Sequence, residues 1–460
     1  MKLRQPRLPL AVLAVIAAGL GTTTQVVAGT GDRLGVPVPV LSAPQPSSVI
    51  PDRVTVASSA QHGFAVVWDE FTRAGRRVSG RRYSADGVPS GDQFPIDARP
   101  PAGGIEEPLS AVIAPTGELI VAWLGNFAEG CESDRRFCIR ARIFNADGSP
   151  RGNTITVAVD PAPRTRIQEG EGLESPVVAA GDAGQFTVAW TSYRFLNSPQ
   201  GRSNPLTLSV TELRSRRFTM DGVAMTPEQV LSSRSSVLLT DTIASGLRAV
   251  TAEDGGFVLG YRPQTAADLV LSPFVARRYD GSGRPFGLPQ RLGTRGDGAL
   301  ITREEEFGLG FAGNGDLVLA YTVPLVYLER PERVLVQRYS RLGFALGPAI
   351  EVARRGGGTN GFRSRITLQV APIPSGGFVI AWPDNAAGGS FGRYYAADGS
   401  PLSEAFRITD KSLELSATTD PQGNLLAVWG STCAPNPDPI AVCMPVPNPP
   451  QLFLGRFQGP

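Results

Sequence analysis

The stretch Phe64-Ala-Val-Val-Trp68 recurs as Leu119-Ile-Val-Ala-Trp123, Phe186-Thr-Val-Ala-Trp190, Phe257-Val-Leu-Gly-Tyr261, Leu317-Val-Leu-Ala-Tyr321, Phe378-Val-Ile-Ala-Trp382 and Leu425-Leu-Ala-Val-Trp429. All five tryptophans of the chain fall on the final position, and Tyr261 and Tyr321 fill the other two copies. Successive anchors lie between 47 residues (Trp382 to Trp429) and 71 residues (Trp190 to Tyr261) apart. Self-similarity at such a period marks a repeat architecture and governs how every other motif is read. Several copies are apolar at consecutive positions rather than alternate ones. That pattern predicts a strand buried on both faces.

Downstream of each run an aromatic is followed four residues later by glycine: Tyr83…Gly87, Phe144…Gly148, Phe218…Gly222, Tyr279…Gly283, Tyr339…Gly343 and Tyr395…Gly399. Four of these glycines follow Asp86, Asp147, Asp221 and Asp398, the Asp-Gly signal of a tight hairpin. Another short strand follows each turn, as at Gln93–Asp97, Thr154–Val159 and Ala349–Val352. With a leading strand such as Leu109–Ile113, each unit holds four strands, a to d. Strand b is the apolar run, and strand c carries the aromatic, usually preceded by arginine (Arg82, Arg217, Arg278, Arg338, Arg456). Fully buried inner strands with half-polar outer ones are what radial packing of blades requires. A solenoid needs shorter repeats, a sandwich array needs longer ones, and an outer-membrane barrel needs alternating strands. The expected fold is therefore all-β, a seven-bladed β-propeller of four-stranded blades.

The last copy ends at Arg456-Phe457 without a strand d. Val36-Pro-Val-Pro-Val-Leu41 can supply it, pairing beside Leu452–Phe457 so that strands from both termini close the ring. Proline is tolerated there because strand d is an outer edge. The organisation expected is a signal peptide at 1–28, a leader at 29–35 and one propeller domain over 36–460.

The signal reading rests on Lys2, Arg4 and Arg7, the apolar run Leu8 to Leu20, and Val26-Val27-Ala28 before the cleavage point. Cleavage after Ala28 takes the formal charge from +2 to −1, and only one lysine, Lys411, would remain. The expected location is periplasmic or extracellular, with no membrane insertion after cleavage. A balance of 44 basic against 42 acidic residues disfavours nucleic acid as a partner. Apolar residues make up 42% of the chain, enough for a sizeable core, and a monomer is expected.

Export permits disulfides, and the four cysteines fall into two local pairs, Cys131 with Cys138 and Cys433 with Cys443. Local pairing needs the least chain closure. Neither spacing matches a zinc knuckle, so no metal or other cofactor is expected.

The pattern Gly-x-Phe/Leu-x-Val-x-Trp, then Arg-Tyr/Phe-x-x-x-Gly, resembles repeats of secreted bacterial β-propeller proteins, many of unknown function. The likeness spans about residues 36–458, and the motif it rests on is structural and implies no active site. The paired Gly-His and Trp-Asp signatures of WD repeats do not recur. The Asp-box of sialidase propellers, Ser-x-Asp-x-Gly-x-x-Trp, is missing.

His62 is the only histidine and occupies the a–b turn position where the other copies have glycine, so a turn residue is expected rather than a general base. The Asp-Gly segments supply one carboxylate each, too few for a calcium loop, and read as hairpins. The tryptophans read as packing between blades rather than a sugar platform. Sixteen residues before the anchors of copies 1, 2, 3 and 5 stand Asp52, Glu107, Glu174 and Glu305, while copies 4, 6 and 7 have Ser245, Ile366 and Leu413, with Glu414 next to the last. That position precedes strand a, so these acids would ring one mouth of the central channel. The loops after the anchors open on the same face and bring Asp69, Glu70 and Asp384. Two functions follow. One is a binding or scaffold module that presents a loop-rich acidic face to a protein or glycan, with room for a weakly bound cation. The other is a carboxylate-dependent glycoside hydrolase or lyase.

Overall fold

A computed structural model of the chain describes residues 29–41, 50–72, 75–97, 109–126, 137–160, 172–181, 184–196, 208–236, 246–252, 254–261, 274–293, 307–326, 329–356, 368–384, 387–410, 415–431 and 451–460. The described residues form seven four-stranded antiparallel sheets and no helix. Strand β1 (Val38–Pro39) comes first in the chain but belongs to the last blade. Blade 1 holds β2 (Ile50–Ser59), β3 (Gly63–Thr72), β4 (Gly75–Tyr83) and β5 (Phe94–Asp97). Blade 2 holds β6 (Ser110–Ile113), β7 (Leu119–Asn126), β8 (Phe137–Phe144) and β9 (Pro150–Val159). Blade 3 holds β10 (Gly172–Ala180), β11 (Gln185–Leu196), β12 (Leu208–Thr219) and β13 (Gln229–Ser236). Blade 4 holds β14 (Arg248–Thr251), β15 (Phe257–Tyr261), β16 (Phe274–Tyr279) and β17 (Pro285–Leu292). Blade 5 holds β18 (Phe307–Phe311), β19 (Leu317–Val326), β20 (Glu329–Tyr339) and β21 (Ile350–Gly356). Blade 6 holds β22 (Gln369–Pro372), β23 (Phe378–Asp384), β24 (Gly389–Tyr395) and β25 (Phe406–Thr409). Blade 7 is ordered β1, β28 (Gln451–Phe457), β27 (Leu425–Ser431), β26 (Leu415–Thr419).

The first strand of each blade touches the first strand of the next, and β26 returns to β2, so the sheets form a closed ring of seven blades. Closure uses both termini, as the sequence predicts: Val38 pairs with Leu454 and Pro39 with Phe453. The contact extends further toward the N-terminus than the predicted strand, because Leu34 N–H donates to Arg456 O and Gly31 N–H to Gln458 O, both at 2.8 Å.

The repeated aromatics explain the packing. Each buried anchor reaches across to the preceding blade: Trp190 packs with Ile120 and Ile139, Trp123 with Val67 and Ile96, and Trp68 with Val428 and Leu454. Trp382 lies with Val318 and Val336, and Trp429 with Val379 and Ile408. The tryptophans are therefore core, and the sugar-platform reading is excluded by their burial. Within a blade, the first residue of the apolar run lies directly opposite the strand-c aromatic. Phe64 stacks on Tyr83, Phe186 on Phe218, Phe257 on Tyr279 and Phe378 on Tyr395, with centroids 4.8–5.3 Å apart. Cross-strand aromatic pairs of this kind stabilise a sheet by up to about 1 kcal/mol each.

Two arginine positions in strand c tie neighbouring blades together. The arginine before the aromatic reaches forward: Arg82 donates to Ala146 O (2.8 Å) and Gly117 O (2.7 Å) in blade 2. Arg278 donates to Ser340 O (3.0 Å) in blade 5, and Arg338 to Ala397 O in blade 6. Arg456 forms an ion pair with Asp420 inside blade 7 and reaches Asp86 O in blade 1. The arginine two before the aromatic reaches backward, to the outer strand of the preceding blade. Arg81 donates to Val40 O, Arg142 to Ile96 O and Arg216 to Val157 O. The same guanidinium groups lie over Tyr83, Phe144 and Phe218 at 5.3–5.9 Å.

Candidate functional site at the channel mouth

The seven inner strands enclose a central channel of about 1000 Å³. Its wall is mostly small or aliphatic, and several of its hydroxyl groups join neighbouring blades. Ser416 Oγ accepts Val56 N–H (3.0 Å), Ser110 Oγ accepts Val178 N–H (3.0 Å), and Thr251 Oγ1 accepts Ala180 N–H (3.2 Å). Ser58 and Thr418 share a hydrogen bond across the blade 7–blade 1 seam. These hydroxyls are committed to holding the ring.

The two ends of the channel differ. The a–b connections at one end run from three residues (60–62) to five, for example 114–118. The c–d hairpins lie at the same end, held by the forward arginines. The b–c connections at the other end range from two residues (73–74) to nineteen (432–450). One end is a turn face, where the c–d connections run from five to ten residues, and the other is a more widely varied loop face.

Charged residues lining the channel wall at its loop-face end are Arg53, Glu174 and Arg248 among the described residues. The repeat position of the predicted acids coincides with a break in strand register. In blade 1 the β2–β3 register shifts between Pro51 and Arg53, at Asp52. In blade 3 the β10–β11 register shifts between Glu174 and Val177. Ser175 there has a φ of 50°, the sole non-glycine in the left-handed region among the described residues. Bulges of this kind re-aim a side chain at a strand end. Glu174 faces the channel. The side chain of Asp52 lies outside the described residues, as do Glu107 and Glu305 entirely.

The loop acids are placed differently. Asp69 is buried on β3, and its Oδ1 accepts the Arg53 backbone N–H at 2.9 Å, so it braces the bulge from behind. Asp384 is buried at the end of β23, and its Oδ1 accepts Ala387 N–H at 3.0 Å, shaping the b–c turn of blade 6. Glu70 pairs through its backbone with Pro51, and its side chain lies outside the described residues. Cys138 is fully buried on β8 opposite Gly125. Cys131, Cys433 and Cys443 lie outside the described residues, so both predicted pairings remain expectations.

His62 sits in the a–b turn of blade 1 with Nε2 3.0 Å from Pro115 O in blade 2, a bond between turns remote from the loop face. The Asp-Gly hairpins also behave as turns. Asp147 Oδ1 accepts both Ser149 N–H (2.8 Å) and Ser149 Oγ–H (2.6 Å), and Asp398 does the same with Ser400. The serine hydroxyl bond is the main cause that holds both carboxyls below the usual aspartate range. Among the described residues, no group of three His, Cys, Asp or Glu is arranged to hold a metal ion.

Sequence reasoning singled out Glu174 because it stands in repeat register. It missed Arg53 and Arg248, which do not: they are fifteen and thirteen residues before their anchors, Trp68 and Tyr261. The backward-reaching arginines do repeat in register, and that signal was there to be used.

No protein-family model matches the chain, and no curated protein matches it in sequence. Among solved structures, the chain is similar to an α-L-arabinanase of Penicillium chrysogenum complexed with arabinobiose, at 10% identity and a TM-score of 0.44, over 92% of this chain and 98% of that one. A protein of unknown function from Dyadobacter fermentans matches at 10% identity and 0.44, over 93% and 100%. The intramolecular trans-sialidase of Ruminococcus gnavus matches at 8% and 0.43, over 92% and 97%. Likeness this distant carries nothing about chemistry.

Proposed function

We propose that the protein is an exported binding or scaffold module that presents its loop face to a protein or glycan partner. The observation that carries this reading is the division between the two faces. The turn face has a–b turns of three to five residues and is bonded blade to blade, while the widest spread in connection length, from two to nineteen residues, falls on the other side. Binding residues concentrate on varied loops held by a rigid scaffold. Glu174, together with Asp52, Glu107 and Glu305 from the same repeat position, would supply the acidic groups that meet a basic partner or a weakly held cation. Arg53 and Arg248 lie at the same mouth, where Arg248 donates to Leu247 O at 3.0 Å.

A hydrolase would need two carboxyl groups about 5 to 9.5 Å apart facing one cavity. Asp69 and Asp384 instead accept backbone N–H groups. The test uses the processed protein on glycan and peptide arrays, alongside a panel of chromogenic glycosides. Saturable binding that weakens at least tenfold in the Asp52→Asn, Glu174→Gln double variant supports the proposal. Turnover of a glycoside that is lost in the same variant overturns it in favour of the hydrolase.

A further inference from the structure

Six blades turn from strand c to strand d through a continuous hairpin, and blade 7 does not. In blade 2, for example, the hairpin runs from Phe144 to Ser149, and its Gly148 lies against Phe94 of the preceding blade. In blade 7 the same corner is cut between the two ends of the chain. Phe457 and Gln458 form one side, and Gly29 to Arg33 form the other. Gly31 N–H donates to Gln458 O and Gln458 N–H donates to Asp32 O, each at 2.8 Å. Gly31, at φ 91°, lies against Phe406 of blade 6 so closely that a Cβ would come within 2.5 Å of the ring. It occupies the place that Gly148 takes against Phe94. Arg33 Nη2 then donates to Ile408 O of blade 6 at 2.8 Å.

Gly29 and Asp32 close this half-corner on each other. Asp32 N–H donates to Gly29 O at 2.9 Å, and the Gly29 nitrogen donates to Asp32 Oδ2 at 2.6 Å. Gly29 is also the residue that follows Val26-Val27-Ala28. We propose that hydrolysis of the Ala28–Gly29 peptide bond is a maturation step whose product, the Gly29 ammonium, is a structural cation held by Asp32 at the seam of the ring. The proposal rests on the export reading and is independent of what the loop face binds.

The chemistry is peptide hydrolysis by a protease of the export route. Water adds its oxygen to the Ala28 carbonyl carbon, the C–N bond breaks, and the electron pair stays on the Gly29 nitrogen. That nitrogen takes up protons to become an ammonium at neutral pH, since an ordinary α-amine titrates at about 7.7–8.0. The bond to the Asp32 carboxylate, charged on the acceptor side alone in the precursor, thereby becomes an ion pair between opposite charges. The other charged groups on packed elements are engaged or distinct: Arg33 with Ile408 O, Arg456 with Asp420, and Arg407 with Asp410.

The sequence makes the test unusually clean. Lys2 would leave with the signal peptide, so the processed chain carries two primary amines, the Gly29 α-amine and Lys411. The exported protein is labelled with an acylating reagent near neutral pH, and the two sites are quantified by peptide mass spectrometry with Lys411 as internal reference. The expected result is an N-terminal peptide beginning at Gly29, labelled about two- to fivefold more slowly than in Asp32→Asn, the range of an exposed ion pair. The native protein should show a similar slowing relative to the same chain unfolded in urea, which covers the case of a variant that folds poorly. An N-terminus at any other residue overturns the proposal. So does equal labelling in the wild type, Asp32→Asn and unfolded chains.

Discussion

Arg82 and Arg151 are both arginines bonded across a blade boundary, yet they should differ in what they contribute. Arg82 is buried and donates to two carbonyls of blade 2. Burial draws its guanidinium below the usual arginine range, and Asp147 and Glu118 partly offset this. Lysine cannot span two carbonyls from one planar fork. Arg82→Lys should therefore cost about 1.5–3 kcal/mol in urea unfolding. Arg151 pairs with Glu118 and Asp221 from a position 35% exposed, and Arg151→Ala should cost less than about 1 kcal/mol. Equal losses would show that the forward bonds of strand c are not what hold the blades. Trp190, fully buried against blade 2, gives a second contrast. Trp190→Ala should cost about 3–5 kcal/mol, and tryptophan emission of the wild type should not respond to simple sugars. The arginine column was half legible in the sequence. Its repetition is plain, but a repeated cation reads equally as a solvated edge until the facing carbonyls are known.

At the scale of the strand, the phenols in strand c set an alkaline limit. Burial is the main cause that pushes Tyr83, Tyr279 and Tyr339 each up to about 12, and it raises Tyr394 as well. Tyr394 donates to Phe457 O (3.1 Å) and accepts Leu425 N–H (2.7 Å), bonding strand c of blade 6 to blade 7. The folded state thus holds these protons more tightly than the unfolded chain, whose tyrosines titrate near 10. Their contribution is complete below about pH 10 and is lost as pH rises through 12. Melting temperature should fall steeply across that window, and ultraviolet difference titration should show these tyrosines ionising only as the fold opens. Tyr394→Phe should lower the melting temperature at neutral pH while making the alkaline fall shallower. A second element-scale expectation concerns the loops after β7 and β27. Cys131–Cys138 and Cys433–Cys443 should each be found by non-reducing peptide mapping, and each should contribute about 2–3 kcal/mol. Free thiols, or a link between Cys131 and Cys433, would reject the local pairing.

For the molecule as a whole, the seam carries the ring. Val40 is fully buried between blades 7 and 1, among Phe64, Trp68, Leu452 and Leu454, and its carbonyl accepts the Arg81 guanidinium. Its side chain lies among apolar groups, and burying a charge there is strongly unfavourable. Val40→Asp should release the N-terminal strand, expose the outer edge of β28, and make the chain susceptible to limited proteolysis near residues 29–41. The equivalent change at Val223, exposed on a hairpin of blade 3, should leave proteolysis and melting unchanged. If both variants behave alike, the terminal strand is an ornament and the ring is held by the blade interfaces alone.

The blade number, the four-strand unit, the hairpins and closure by both termini were all determined by the sequence. The reason is that each depends on local chemistry: apolar runs repeated seven times that must be buried on both faces, glycines at six of the turn corners, and a last copy one strand short. His62 and the Asp-Gly turns were legible on the same ground. Tertiary structure alone decided how the acids divide. Asp69, Asp384 and Glu174 look alike in sequence, but the first two accept backbone N–H groups while Glu174 faces the channel. It also brought Arg53 and Arg248 to the mouth beside Glu174. Those residues share no repeat position, so only the ring geometry, which sets strands from distant parts of the chain around one axis, could place them together.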